Sequence, residues 1–138
     1  MPIALQHFKD AFNRLNASNL DLLGEIYSPD IVFSDPVHQL HGLTELRAYY
    51  ARLYEGVVSC RFAFEDEIVQ DQRAVLVWTM HFEHQRFRKG EMLTLTGASH
   101  LKFDERVFYH HDYFDMGAFI YERVPILSSV IRAIKKRL

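Results

Sequence analysis

The sequence predicts an α+β domain in which a curved antiparallel sheet wraps around N-terminal helices to form a cone with an internal pocket, plus a C-terminal helix. Helical periodicity is confined to residues 2–54 and 124–138. Between them lie four consecutive stretches rich in β-branched and aromatic residues, joined by breaks of hairpin length. Helices followed by a meander give segregated layers, where alternating strands and helices would give a parallel sheet.

The first helix is predicted over 2–16, where Leu5, Phe8, Ala11, Phe12 and Leu15 recur at three- and four-residue spacing and Pro2 is placed to open it. A second runs from Asn19, its expected N-cap, to Tyr27, with Leu20, Leu22, Leu23 and Ile26 apolar and Ser28-Pro29-Asp30 ending it. Ile31 to Asp35 is a short strand stopped by Pro36; Gly42 then resets the backbone before a helix from about Thr44 to Tyr54. The meander strands fall near 58–69, 74–87, 91–103 and 107–115. From Val124 to Leu138, Leu127, Val130, Ile131, Ile134 and Leu138 share one side of a helix and Arg132, Lys135, Lys136 and Arg137 largely the other. No repeat, linker or low-complexity tract divides residues 1–138, so one domain is expected.

Composition narrows the function classes. With 49% hydrophobic residues and a net charge of −2, the chain can bury a core and has no basic field to hold nucleic acid. The single cysteine, Cys60, excludes an intramolecular disulfide. The N-terminus shows no basic stretch followed by an apolar run, and no apolar run approaches the roughly 20 residues that cross a bilayer, so a cytoplasmic protein is expected. No cofactor is implied. A metal site is not expected either, because the histidines lack the i, i+4 or tight Cys/His spacing of zinc ligands.

A bent antiparallel sheet with helices on its concave side leaves space at its splayed end. Phe33, Phe62, Phe64, Trp78, Phe82 and Phe114 would line that space or fill ordinary core. The run from Tyr27 through Ser34-Asp35-Pro36, then Gly42 and a helix carrying Tyr49-Tyr50, resembles the front half of ketosteroid isomerase-like and SnoaL-like polyketide cyclase domains of the nuclear transport factor 2-like superfamily. His110-His111-Asp112-Tyr113-Phe114-Asp115 is similar to the Arg-Asp-Tyr-Phe-Asp strand of limonene epoxide hydrolases. The resemblance spans residues 1 to about 120 and implies the conical fold.

Asp35 is the first catalytic candidate. A carboxylate at a strand end facing an apolar cavity is poorly solvated, which raises its pKa toward that of a useful base. The resemblance implies the same role, since ketosteroid isomerases shuttle a proton with the acid before this proline. The alternative is that Asp35 accepts bonds from backbone amides in the turn from Pro36 to His38. Asp112 is the second. If the last strand alternates, Phe108, His110, Asp112 and Phe114 share the cavity face, and His110 can orient or pair with Asp112. The resemblance aligns Asp112 with the epoxide hydrolase acid. Substrate contacts are expected from Phe33, His38, Trp78, Phe82, Ser99 and Phe114, with His41 also near the mouth.

Two departures from the family matter. Ala11 and Phe12 stand where ketosteroid isomerases carry a first-helix tyrosine, and Ser99 where they carry a protonated acid. The middle-strand Arg and Asp of epoxide hydrolases would be matched only by His81 and Glu83, and only if the register slips by one residue. The expectation is therefore a protein that takes a small hydrophobic molecule, as an isomerase, cyclase or hydrolase using acid/base carboxylates on a ring-containing substrate, or as a ligand-binding or stress-related protein without turnover; the remaining alternative is an interaction module acting through its basic C-terminal helix. A homodimer through the exposed sheet face is expected. The basic C-terminal helix is expected to dock on the sheet or a second subunit; contact with an anionic membrane surface is the rarer fate of such a helix.

Overall fold

In a computed structural model, which describes residues 2–87, 90–115, 133, 134, 136 and 137, the chain forms three helices and a curved, unclosed six-stranded sheet. The helices are α1 (Ile3–Phe12), α2 (Leu23–Ile26) and α3 (Leu43–Tyr54). The strands are β1 (Tyr27–Ser34), β2 (Gln39–His41), β3 (Val57–Gln70), β4 (Arg73–His84), β5 (Leu93–Phe103) and β6 (Val107–Phe114), in the order β2-β1-β6-β5-β4-β3. Every pair is antiparallel except β1 with β6, which runs parallel. The meander therefore returns to meet a strand laid down before it began. Among the described residues no helix is long and apolar enough to cross a membrane.

α1 buries Leu5, Phe8, Ala11 and Phe12 as its spacing predicts, but it stops at Phe12, not near residue 16. Polar side chains that compete with the helical ladder explain the early stop. Asn13 bonds the backbone of Phe62 in both directions, accepting from its N–H (2.8 Å) and donating to its C=O (3.1 Å). Asn19 accepts from the Asn16 amide (2.6 Å) and donates to the Arg14 carbonyl (2.6 Å). Asn19 is thereby used up and caps nothing. The second predicted helix is a 3₁₀ turn, Leu20–Leu22, followed by the single turn of α2. Tyr27 is already extended, at φ −107° and ψ 143°, and opens β1, in which Ser28, the residue before Pro29, is held to the same backbone region.

Gly42, at φ +89°, precedes α3, whose Leu46, Tyr50 and Tyr54 are buried one turn apart. β2 had no signature in the sequence: three residues, two of them exposed, pair back on β1 and close a turn in which the Asp35 amide donates to the His38 carbonyl (3.0 Å). β4 ends at His84, three residues before the predicted limit, and β6 departs from strict alternation. Its register with β5 shifts between Lys102 and Phe103, so Val107 is buried and Phe108 turns outward, corrected from the cavity face. Beyond that bulge His110, Asp112 and Phe114 point inward together. Nearly all of the helix expected over 124–138 lies outside the described residues.

Gly97 sits directly opposite Trp78 on the inner face, and a Cβ there would lie 2.6 Å from the indole and 2.8 Å from the Tyr113 carbonyl. The indole can lie flat only because this residue has no side chain. Gly97→Ala is expected to cost about 1–3 kcal/mol, since the obstruction includes backbone that cannot rotate away. Urea unfolding against wild type checks it, and an unchanged midpoint would refute the packing argument.

Candidate functional site

Between the concave face of the sheet, α1 and α3 lies a cavity of about 330 Å³. Among the described residues that line it, more than half are Phe, Tyr or Trp, and the charged ones are two carboxylates, Asp35 and Asp112, beside His38, His84 and His110. α1 contributes Phe8 and Phe12; α3 contributes Tyr49, Tyr50, Leu53 and Tyr54. The even-numbered residues of β4 from Trp78 to His84 face the cavity, which leaves His81 and Glu83 on the opposite face in a register without a slip. The middle-strand pair of epoxide hydrolases therefore has no counterpart.

The candidates that line this cavity are Asp35, Asp112 and His110 for acid/base work and Phe33, His38, Trp78, Phe82, Ser99 and Phe114 as ligand contacts, whereas His41, expected near the mouth, is exposed and outside the lining. The two carboxylates sit in different surroundings. Asp35, at the end of β1, accepts the amides of Val37 (2.9 Å) and His38 (2.7 Å) and faces the His38 ring (3.2 Å) through Oδ1, while the Tyr49 hydroxyl donates to Oδ2. Burial alone would push its carboxyl up; the Tyr49 hydroxyl, the two amides and the His38 ring outweigh it and hold the carboxyl below its ordinary value. The raised pKa expected for Asp35 is thus corrected. Partners that stabilise the anion leave it a weak base. Tyr49 shows the reverse: burial, then its bond to Asp35, then the charges of Asp35 and Asp112 hold its proton on well above the usual phenol range.

Asp112 is the member of a buried chain. The Trp78 indole N–H donates to Ser99 Oγ (2.9 Å), Ser99 O–H donates to Asp112 Oδ1 (2.5 Å), and His110 Nε2 meets the same oxygen (2.6 Å). His110 Nδ1 lies 2.6 Å from the Tyr27 hydroxyl, itself 3.3 Å from that of Tyr50. Nε2–H donates to Asp112, and the rest of the chain closes in either direction: Tyr27 donates to Nδ1 and accepts from Tyr50, or accepts from Nδ1–H and donates to Tyr50. Oδ2 of Asp112 has no partner among the described residues, and the side chain keeps 17% exposure. Phe33, edge-on to the His110 ring at 4.9 Å, and Tyr27, stacked on it at 5.8 Å, fix the imidazole plane.

Tyr27, Tyr49 and Tyr50 were not singled out by sequence reasoning. Tyr27 was read as the end of a helix, and the bond from Tyr49 to Asp35 joins residues 14 apart on different elements. Burial pushes the Cys60 thiol up to about 11, against a hydrogen bond with Tyr54 that lowers it, so this cavity-lining cysteine stays protonated. No group of three His, Cys, Asp or Glu among the described residues could hold a metal ion.

Comparison with known proteins places this geometry in context. A family model described as the SnoaL-like domain matches residues 8–110. No curated protein matches the chain significantly. Among solved structures, an NTF2-like protein of unknown function from Burkholderia pseudomallei superposes with a TM-score of 0.73 at 21% identity, over 87% of this chain and 96% of that one. A candidate SnoaL-like polyketide cyclase from Shewanella putrefaciens gives 0.71 at 22% identity, over 86% and 94%. An LEH-like epoxide hydrolase from M. tuberculosis gives 0.69 at 13% identity, over 94% and 93%. Identities this low establish the fold and leave the chemistry to the residues.

Two outcomes are expected. Because its carboxyl is held low, Asp35 contributes stability that is fully present above 3.8 and is lost as pH falls through its lower folded value. The stability gap between wild type and Asp35→Asn should therefore be widest near neutrality and narrow below that pH; a gap independent of pH would refute the assignment. Ser99→Ala strands the Trp78 N–H and removes a donor from Asp112, and should cost about 1–3 kcal/mol in denaturant unfolding.

Proposed function

The chain belongs to the SnoaL-like domain family, and we propose that it binds a small hydrophobic, ring-containing molecule in its cavity and moves a proton on it with Asp112 as the acid/base group and His110 as its orienter. One observation carries this reading. Oδ1 of Asp112 is committed to Ser99 and His110, while Oδ2 has no partner among the described residues and the side chain lines the cavity, so a proton can arrive at or leave Oδ2 without breaking the bonds at Oδ1. A carboxylate held this way is preorganised for transfer, because no partner has to move during the step.

The work divides between the two acids. Asp35, with each oxygen engaged and its carboxyl held low, is a fixed negative charge and the anchor of the turn to His38. Asp112 takes a proton from a carbon acid or from a water poised over the ligand and returns it to the product. The apolar walls exclude other water, which keeps the proton between Asp112 and the bound molecule. Proton transfer of this kind suits an isomerase, a cyclase or a hydrolase equally.

A second reading rests on a specific observation. Ala11 and Phe12 are buried and apolar, and Ser99 already donates to Asp112, so the positions that stabilise an oxyanion in ketosteroid isomerases hold no free donor here. One such donor supplies on the order of 3 kcal/mol of transition-state stabilisation. A cavity that binds without turnover is the reading this favours.

Ligand-induced thermal shifts across cyclic enones, epoxides and polycyclic polyketides, with product analysis for each binder, separate the two. The expected result is a compound that stabilises wild type and Asp112→Asn alike but is converted by wild type alone, the variant being slower by a factor of about 10²–10⁴. Binding by both without conversion makes the cavity a receptor. No stabilisation by any compound refutes the cavity reading.

A further inference from the structure

The cavity has a charge pattern that narrows its ligand beyond hydrophobicity. Among the described residues its lining carries two carboxylates, three histidines and no Lys or Arg. His84 is held below the usual imidazole range by burial and then by the Arg86 charge, His38 faces Asp35, and His110 lies between Asp112 and Tyr27. An anionic ligand would meet two like charges and, among the described residues, no Lys or Arg to balance them. An acidic polyketide or a fatty carboxylate is thereby disfavoured.

The walls favour the opposite sign. Aromatic faces present negative electrostatic potential, and an alkylammonium over them is attracted at a distance from any carboxylate. Trp78, the ring type best suited to this, lies on the cavity beside Phe62 at 5.4 Å and Phe114 at 6.5 Å between centroids, and its N–H feeds the chain that ends on Asp112. The polar demand is small as well. Oδ2 of Asp112 is the carboxylate oxygen left without a partner among the described residues, whereas both oxygens of Asp35 are engaged. A primary ammonium would bring three N–H donors to that one acceptor and bury the remainder unpaired. A tertiary ammonium brings one, and its alkyl groups match the walls.

We propose that the natural ligand class is a hydrophobic tertiary amine, its single N–H bonded to Asp112 Oδ2 and its alkyl and ring carbons packed against the aromatic walls around Trp78. This rests on the reading that the cavity takes a small hydrophobic molecule. It adds the charge state, which that reading leaves open. In a catalytic cycle the ammonium proton is then itself within reach of Asp112, so proton exchange with the bound amine needs no other donor.

The test uses the full chain and four probes on one ring system: N,N-dimethylbenzylamine, benzylamine, benzyl methyl ether and phenylacetate, with Trp78 fluorescence as the readout, since it is the single tryptophan. The tertiary amine is expected to bind about tenfold tighter than the ether, benzylamine to fall between them, and phenylacetate to be weakest. In Asp112→Asn the preference for the amine over the ether should vanish while ether binding persists. If the ether binds wild type as tightly as the tertiary amine does, the amine proposal is overturned and the cavity reading survives. If none of the four binds, both fall. Should the variant not fold, the order of the four affinities for wild type decides alone.

Discussion

Strands β2 and β3 occupy opposite edges of the sheet, so the chain joining them must cross its full width, and α3 makes that crossing on the concave side. The other features of the site follow from this constraint. A helix of 12 residues laid across a curved sheet cannot touch it everywhere, and the gap between them becomes the cavity. The same crossing brings Tyr49 to Asp35 and Tyr50 to Tyr27, giving hydroxyl partners to polar groups that would otherwise be buried alone.

The buried polar chain from Trp78 to Tyr50 joins β1, β4, β5, β6 and α3. Removing a middle member leaves its neighbours unpaired in a low-dielectric interior, where each orphaned group costs about 1–3 kcal/mol. Such a chain is expensive to keep for stability alone, because apolar residues of similar volume would pack without that risk. Beside the cavity it leaves one oxygen, Oδ2 of Asp112, without a partner among the described residues. Asp35 shows the contrasting case, a carboxylate whose partners consume both of its oxygens.

Much of the fold was legible because it depends on patterns with a short period. The Leu5-Phe8-Phe12 stripe, the breaks before β4 and β6, and the inward even positions of β4 could all be read by counting. Failures came where polar side chains intervened. Where α1 stops, Asn16 and Asn19 bond nearby backbone and Asn13 the distant Phe62, and Tyr27, expected as a helix end, opens β1. The bulge that turned Phe108 outward left no sign in the residue types around it, since either parity places aromatics on both faces.

For the site, sequence determined that Asp35, His110, Asp112 and Trp78 reach the cavity, because strand alternation decides side-chain direction locally, but it missed Tyr49 and Tyr50. Asp112 and His110 could be paired from their two-residue separation alone. What Asp35 and Asp112 can do was decided by tertiary structure. The environment of a carboxyl depends on donors that arrive from distant parts of the chain: Tyr49 on Asp35, Ser99 on Asp112, Tyr27 behind His110. No spacing in the sequence encodes those meetings, because they are set by how α3 and β6 settle against β1.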